Sequence, residues 1–450
     1  MYEALPFPLR DPETEKSRLL TTPPDMLSRI NHYCFAGRQS FGNDFRALVA
    51  GGGTGDAVIH LAQQLSQRGN GTVTYLDMCE KSMEVARQRA AVRGLQNVEW
   101  VHASILDIPE LDLGRFDYIN CMGVLHHMSS PIQGLRCLEG VLADDGAMAL
   151  MVYGRYGRIG VTVVQDMLKI ILGEEGDIHE RVSVATAMLQ SLSPLSAFMR
   201  GRDRIKVLET LKDDPNNVAD IFLHPCDHPF TASEFVAMAT QCGLHLASFT
   251  TYSSLPAITR LQYDPVRMAQ GDDIKPYLAA LPFDRQIDIA EMMDGNLHLH
   301  TAYFSRRANG AVADFADPAN IPFLPTTNAG HACAALAAST ADGLNVQLAS
   351  GNSLHLRCTP ATLAFLRRIN DRTSLGEIFA DLQREGFART DLDKNLELMN
   401  AFDWILLRHP SVAAFPVVGA PMFAAGSDPF ANLGPRPWSI PYCQPAMQQH

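Results

Sequence analysis

The sequence predicts an α/β protein built on a mostly parallel sheet, and three observations lead to that prediction. Between Phe45 and Gly154, short apolar runs alternate with helical patterns, which is typical of a sheet flanked by helices. The first of these runs ends abruptly in the glycine-rich turn "GGGTG". The 450-residue chain is 46% hydrophobic and 19% charged, an ordinary composition for a globular protein of two or three domains.

Each element of this region follows from its periodicity. Val58, Leu61, Ala62 and Leu65 recur at i, i+3, i+4 and i+7 and give the first helix one apolar face. Two further helices are predicted at 81–93 and 131–142. The predicted strands of this region are 46–50, 72–77, 98–103, 116–121 and 147–153.

The pattern turns mostly helical from 155 to about 227, which predicts a helical insertion. A helix at 231–243 and strands at 245–252 and 298–305 then complete a first domain at 45–308. The preceding segment, 1–44, is expected to act as a lid, chiefly around Tyr33 to Phe41.

A second, smaller α+β domain is predicted after a linker. The linker, 309–330, is rich in Pro, Asn and Ala. The domain, 331–410, shows two short strands followed by helices at 360–369, 375–385 and 392–407, and the tail, 411–450, is dense in proline. The order of helices around "TSLGEI" resembles small winged-helix or peptide-chaperone-like modules.

The glycine turn excludes two common nucleotide sites. A phosphate-binding P-loop requires a Lys after its last glycine, and no Lys follows Gly55. A dinucleotide fingerprint requires a third glycine where this chain has Asp56. A carboxylate at a helix N-terminus repels a pyrophosphate, so that ligand is disfavoured.

The same turn suits a ligand with one carboxylate and a cationic centre, as in the methionine half of S-adenosylmethionine. Glycines at 51, 53 and 55 let the backbone approach such a ligand closely. The second predicted strand ends at Asp77, 22 residues after Gly55. An acidic side chain at that place can accept both hydroxyls of a ribose.

These residues carry a family resemblance. The segments "LVAGGGTGD", "VTYLDMCEKSMEVARQRA", "VEWVHASILDIPE" and "FDYINCMGVLHHMSSPIQGLRCLEGVLADDGAMALMVYG" resemble the successive motifs of class I S-adenosylmethionine-dependent methyltransferases. The resemblance covers about Arg46 to Gly154 and extends to Arg307, where "HLHTAYFSRR" resembles the antiparallel last strand of that fold. It implies a Rossmann-like, seven-stranded mixed sheet in the order 3-2-1-4-5-7-6, with the cofactor over the ends of strands one to four.

The resemblance also implies the roles of individual residues in cofactor binding. The glycine turn would face the methionine moiety, and the end of the second strand would bind the ribose. The end of the third strand would contact the adenine, and the end of the fourth strand would also line the methionine. Val49 departs from the family, which has an acidic residue at that place, and Ser104 departs where the family has Asp. The predicted cofactor-binding residues are Gly51, Gly52, Gly53, Thr54, Gly55, Asp77, Met78, Ser104, Ile105, Cys121, Met122 and Gly123.

Candidates for the chemical step follow the fourth and fifth strands. Removal of a proton from a hydroxyl acceptor requires a base, and His126, His127 and Tyr153 are the candidates. An amine or thiolate acceptor needs no such base, so the use of one is left open. The predicted substrate-binding residues are Tyr33, Tyr156, Arg158 and His224. The loop "LHPCDHPF" lacks a second ligand cluster at fixed spacing, so no metal site is predicted. Asp107 is interpreted as a helix-capping residue.

The composition and charge of the chain limit the classes of partner that we expect. A formal charge of −12 repels nucleic acid on average. The nine cysteines show no disulfide framework or zinc spacing, no apolar run reaches membrane-spanning length, and the N-terminus lacks a secretory pattern. We therefore expect a cytoplasmic protein with no membrane or metal partner, and a homodimer is possible.

The predicted function is in-line methyl transfer to a small molecule or peptide enclosed by the lid and the insertion. One alternative is a protein methyltransferase that recognises its substrate with the C-terminal module. Another is a non-catalytic protein that binds the cofactor in a regulatory or interaction role.

Overall fold

The structure is a computed structural model of the chain. It describes residues 1–42, 44–173, 175–200, 214–250, 260–325, 343–347, 353–357, 359–416 and 443–445. The predicted start of the small domain, 331–342, and most of the predicted tail lie outside the described residues. Among the residues that are described, no helix is both long and apolar enough to cross a membrane.

The first domain is a seven-stranded sheet in the order β3-β2-β1-β4-β5-β7-β6, which confirms the predicted Rossmann-like topology. β1 lies inside the sheet, where Leu48 pairs with Thr74 of β2 on one side and with Ile119 of β4 on the other. β7 runs antiparallel to both of its neighbours. The strands are β1 (Arg46–Ala50), β2 (Thr72–Asp77), β3 (Val98–His102), β4 (Phe116–Met122), β5 (Leu142–Tyr153), β6 (His245–Phe249) and β7 (Leu299–Ser305).

Helices cover both faces of this sheet. Two apolar cores result, one on each face, and the central strands contribute to both because alternate side chains point to opposite sides. The helices of the first domain are α1 (Leu27–Cys34), α2 (Asp56–Ser66), α3 (Glu80–Val92), α4 (Pro131–Gly140), α5 (Ile159–Leu172), α6 (Ile178–Gln190), α7 (Pro215–Phe222), α8 (Ala232–Gln241), α9 (Pro265–Met268), α10 (Lys275–Ala279) and α11 (Phe283–Asp294).

The predicted helical insertion is present as α5, α6 and α7. Its helices bury an apolar cluster of their own, which includes Val164 and Phe222. Leu5, from the start of the chain, is buried in the same cluster. The insertion and the N-terminal segment therefore pack together beside the sheet.

The described C-terminal elements include the two strands and three helices predicted there, together with three further short strands. They comprise β8 (Ile321–Phe323), β9 (Gly343–Gln347), β10 (Ser353–Arg357), α12 (Pro360–Leu366), α13 (Leu375–Arg384), α14 (Asp393–Ala401), β11 (Leu406–Arg408) and β12 (Cys443–Pro445). β8 pairs with β11 in an antiparallel ribbon, so part of the segment predicted as a linker is a strand. The winged-helix assignment remains a prediction.

Candidate active site

The turn between β1 and α2 has a backbone shape that only glycine adopts readily. Gly51, Gly53 and Gly55 have φ angles of 74°, 50° and 104°, in the left-handed region. Gly52 is required for space, because a Cβ there would lie 2.3 Å from the ring of Tyr75. The Tyr75 hydroxyl donates a 2.7 Å hydrogen bond to the Gly53 carbonyl. A β2 side chain thus fixes the turn.

Asp77, the last residue of β2, holds the same turn from its other side. Its Oδ2 accepts the N–H of Gly53 and its Oδ1 accepts the N–H of Cys79, both at 2.8 Å. Burial raises the pKa of the Asp77 carboxyl against the effect of these N–H groups. A carboxylate oxygen accepts more than one hydrogen bond, so both oxygens retain capacity for a ligand's hydroxyls.

The end of β3 forms a capped turn. The Ser104 hydroxyl accepts the N–H of Leu106 at 3.2 Å, and the Asp107 carboxylate accepts the N–H of Ser104 at 2.9 Å. This capping box confirms the capping interpretation of Asp107. Ile105 is buried beneath the turn in the sheet core.

The end of β4 lies against the glycine turn. A Cβ on Gly51 would lie 2.3 Å from Val124, which shows how closely the two turns approach. Gly123 has a φ of 79° and, like Met122, is half-buried. The Cys121 side chain points into the core, where burial raises its pKa to about 12. Only the main chain of Cys121 is therefore available to contact a ligand.

Five predicted site residues converge near the carboxyl ends of β4 and β5. The His126 ring lies 3.8 Å from the Tyr153 ring and 4.1 Å from the His127 ring, centroid to centroid. The Arg158 guanidinium lies over the Tyr153 ring, 3.5 Å from its centroid. The His224 ring lies 3.8 Å from the His127 ring, centroid to centroid, and is tilted by 31° to it. We call these five side chains the His–Tyr cluster.

The His–Tyr cluster is largely desolvated, and this sets its protonation. Burial lowers the pKa of His126 well below its ordinary value, and the nearby His127 and Arg158 lower it further. Burial also lowers the pKa of His127, and it lowers that of His224 to about 4. The imidazoles are therefore neutral at physiological pH.

A buried carboxylate of the insertion completes this region. Asp220, on α7, accepts the Tyr153 hydroxyl at 3.0 Å and the Tyr2 hydroxyl at 2.7 Å. Burial raises the pKa of Asp220. One carboxyl group therefore connects the fifth strand, the insertion and the start of the chain.

Comparisons with known proteins agree with this geometry. Residues 48–148 match the family model described as a methyltransferase domain. PKMT2 from Rickettsia typhi, whose structure contains AdoHcy, shares the fold with a TM-score of 0.54 and 14% identity, over 86% of this chain and 75% of that one. The chain therefore contains a methyltransferase domain of the S-adenosylmethionine-dependent type.

Two curated relatives add to these matches. An uncharacterized protein of Synechococcus is 26% identical to the methyltransferase over 326 residues, 70% of this chain and 73% of the relative. The ubiquinone biosynthesis O-methyltransferase of Neisseria meningitidis serogroup C is 31% identical over 86 residues. That match spans 19% of this chain and only 36% of the relative's length.

The residues present fit the cofactor of this methyltransferase. The turn offers a bare main chain at the end of β1, and Asp77 offers two oxygens with remaining acceptor capacity. Asp56 is engaged otherwise, because its carboxylate accepts hydrogen bonds from Arg10 and Arg89. It therefore does not replace the acidic side chain that is missing at Val49.

One predicted substrate-binding residue, Tyr33, lies apart from the His–Tyr cluster. Tyr33 is buried on α1, where its ring stacks on Tyr303 and its hydroxyl donates to Asp403. The structure therefore assigns Tyr33 to the interface with the C-terminal elements rather than to the acceptor site. Tyr156 is half-buried, and its backbone N–H donates to Glu291 at 3.1 Å.

The lid also differs from its predicted place. Apolar residues of this segment are buried in the sheet core, because α1 packs against β7 and β11; they are Leu27, Ile30, Tyr33, Cys34, Phe35 and Phe41. Residues 1–16 cover the glycine turn instead: the Phe7 carbonyl accepts the N–H of Thr54 at 3.2 Å, and the Pro8 carbonyl accepts its hydroxyl at 2.6 Å.

Sequence analysis did not select Tyr2 or Asp220, because both act across large sequence separations that leave no periodic signal. Two side chains of the "LHPCDHPF" loop have protein partners. Asp227 accepts from Arg158 at 3.1 Å, whereas the His228 ring contacts Cys226. Within the described ranges, no three His, Cys, Asp or Glu side chains are placed to hold a metal ion.

Proposed function

We propose that this methyltransferase transfers a methyl group to a hydroxyl of a small molecule, and that His126 removes the proton of that hydroxyl. One observation carries the proposal. His126 is fully buried, and neither of its ring nitrogens has a hydrogen-bond partner within the described residues. Because buried polar groups are nearly always paired, an imidazole with two open nitrogens beside the cofactor turn is suited to a partner that arrives with the substrate.

The protonation of His126 favours a hydroxyl over an ammonium group. S-adenosylmethionine supplies an electrophilic methyl group on a sulfonium sulfur. The acceptor oxygen forms the new C–O bond opposite sulfur while the C–S bond breaks, and sulfur keeps that electron pair. His126 takes the hydroxyl proton on a ring nitrogen as the acceptor becomes acidic. An imidazole of lowered pKa does this late in the step, but it does not hold the proton of an ammonium acceptor beforehand.

The other members of the His–Tyr cluster position this imidazole. The Tyr153 ring packs along His126, and Asp220 fixes the Tyr153 hydroxyl. Arg158 is held over Tyr153 by its ion pair with Asp227. Burial raises the pKa of Tyr153 far above its ordinary value. It therefore stays neutral and acts as a wall rather than as a base.

The small size of the acceptor is supported by the segments that cover the site and by a relative. The N-terminal segment and the insertion meet beside Tyr153 through Tyr2 and Asp220. A relative of the catalytic domain is named for O-methylation in ubiquinone biosynthesis. A protein acceptor is the second candidate, because the chain carries C-terminal elements beyond the methyltransferase domain that are available to recognise a protein.

The test combines a substitution with fractionated extract. His126→Phe should lower the rate of S-adenosylhomocysteine formation by about 10²- to 10⁴-fold, the usual contribution of a general base. Its affinity for S-adenosylhomocysteine, measured by calorimetry, should stay unchanged. His245→Phe, at an exposed position on β6, is the matched control and should retain full activity.

Acceptor size is read from the same assay with extract divided by ultrafiltration. Turnover with the small-molecule fraction supports the proposal, and turnover confined to the protein fraction supports the second candidate. Full activity of His126→Phe with the natural acceptor would contradict the assigned base.

A further inference from the structure

We propose that residues 1–16 form a strap, rooted at Glu15, whose residues 1–10 must lift for the cofactor to enter or leave, with Arg10–Asp56 and Tyr2–Asp220 holding it closed. The inference concerns cofactor exchange and does not depend on the identity of the acceptor. It starts from the path of the strap, which crosses the insertion, the end of β2 and the glycine turn in succession.

The strap lies directly on the cofactor-binding turn. A Cβ on Gly53 would lie 2.7 Å from the Phe7 carbonyl oxygen, so glycine is required there by the strap. Phe7 and Pro8 together accept both hydrogen bonds that Thr54 donates with its N–H and its hydroxyl. The Glu3 carboxylate accepts the N–H of Glu80 at 2.7 Å, three residues after Asp77. The strap therefore covers both places where the cofactor is expected.

Arg10 fastens the strap beside the turn. Its Nε and Nη2 bond to the Asp56 carboxylate at 2.9 and 2.7 Å, a two-point charge-assisted contact. The two side chains are 30% and 21% exposed. This ion pair is strong enough to hold the strap in place, and its partial exposure to solvent lets it break at a moderate free-energy cost.

Tyr2 fastens the opposite end in the acceptor site. Its hydroxyl and that of Tyr153 donate to the two oxygens of the Asp220 carboxylate. Lifting the strap removes one of these donors from a buried carboxylate. Closure of the strap over the cofactor therefore also completes the surroundings of Tyr153, which makes Tyr2 a positioning residue.

The root of the strap is built differently and does not lift. Glu15 is completely buried and pairs with Arg89, itself 1% exposed, at 2.6 Å and also with Arg93. Breaking a buried pair of this kind leaves an uncompensated charge and destabilises the whole fold. Leu9, in the part that lifts, is 53% exposed. The anchored root and the exposed middle define which part moves.

The experiment measures release of S-adenosylhomocysteine in stopped flow, together with hydrogen exchange of the peptide covering residues 1–16. Arg10→Gln should speed release by about tenfold, as expected for a lost charge-assisted hydrogen bond, and should increase exchange in the peptide. Tyr2→Phe should speed release by a smaller factor, because it removes one neutral donor.

Lys16→Gln is the matched control, since Lys16 pairs with Glu13 of the strap itself and both are exposed. It should leave release and exchange unchanged. Bound S-adenosylhomocysteine should protect the strap of the unsubstituted protein from exchange. Thermal melting of each variant separates a lifted strap from a damaged fold.

Two results would overturn the inference. One is release from a folded Arg10→Gln variant at the rate of the Lys16→Gln control. The other is a strap whose hydrogen exchange is the same with and without ligand and in all variants. Either result would show that the strap is a fixed wall of the site.

Discussion

Replacement of Asp77 by Asn tests the cofactor site most directly, because it changes charge while keeping shape. The carboxylate holds the N–H groups of Gly53 and Cys79 at 2.8 Å with one oxygen each. Asp77→Ala would release both and disturb the turn itself. Asp77→Asn keeps an amide oxygen as one acceptor and replaces the other oxygen with a donor.

The expected loss of cofactor affinity follows from the hydrogen bonds that the Asp77 carboxylate would accept from the ribose hydroxyls. A hydrogen bond to a charged group contributes about 1.5 to 3 kcal/mol. Affinity for S-adenosylhomocysteine should therefore fall by roughly 10- to 100-fold. Because burial raises the pKa of Asp77, wild-type affinity should also decline as the pH falls, beginning above the ordinary carboxyl range. The Asn variant should lack this decline.

Isothermal titration calorimetry at several pH values measures both effects. Glu84→Gln removes one negative charge from an exposed position on α3 and serves as the control for general electrostatics. Unchanged affinity of a folded Asp77→Asn protein would refute the assignment of Asp77 to the ribose. A loss of equal size in the Glu84 variant would show that only net charge matters.

The remaining predictions concern the glycine turn and a buried acid. Gly53→Ala should speed cofactor release, because the added Cβ would clash with the Phe7 carbonyl oxygen. Gly94→Ala is the control, since Gly94 also has a positive φ but an added Cβ there would have no atom within 4 Å. That variant should lower the melting temperature through backbone strain and leave release unchanged. Equal release rates in the two variants would exclude the clash. Asp25 is fully buried and its pKa is raised from 3.8 to about 6, so the folded state holds this proton more tightly than the unfolded state. Its stabilising contribution is therefore present below pH 3.8 and is lost as the pH rises through 6, an effect of about 3 kcal/mol by linkage. Urea unfolding across this range should show the loss in the wild type and not in Asp25→Asn, and parallel pH profiles would contradict the assignment.

The local sequence pattern was sufficient to predict the strands of the sheet and the position of the glycine turn. The strand at Arg46–Ala50 and the helix that begins at Asp56 have the predicted places within two residues, because apolar periodicity and glycine act over a few neighbouring positions. The end of the second strand at Asp77 was predicted for the same reason, and β2 ends there in the structure. The β11–β8 ribbon was missed because a three-residue strand carries almost no periodic signal.

The acceptor side depended on contacts that sequence distance hides. Tyr33 is conspicuous in the sequence, but the structure buries it against Tyr303, 270 positions later. Tyr2 meets Asp220 across 218 positions, and no local rule connects them.

The sequence by itself determined the order of strands and helices, the glycine turn and the carboxylate at the end of β2, because each depends on the conformational preferences of adjacent residues. Only the tertiary structure decided that the first sixteen residues cover the turn and that Asp220 reaches Tyr153. Those contacts arise when the insertion and the N-terminal segment bury Leu5 in a shared apolar cluster. The free energy of that burial belongs to the packed arrangement and is not encoded in either segment alone.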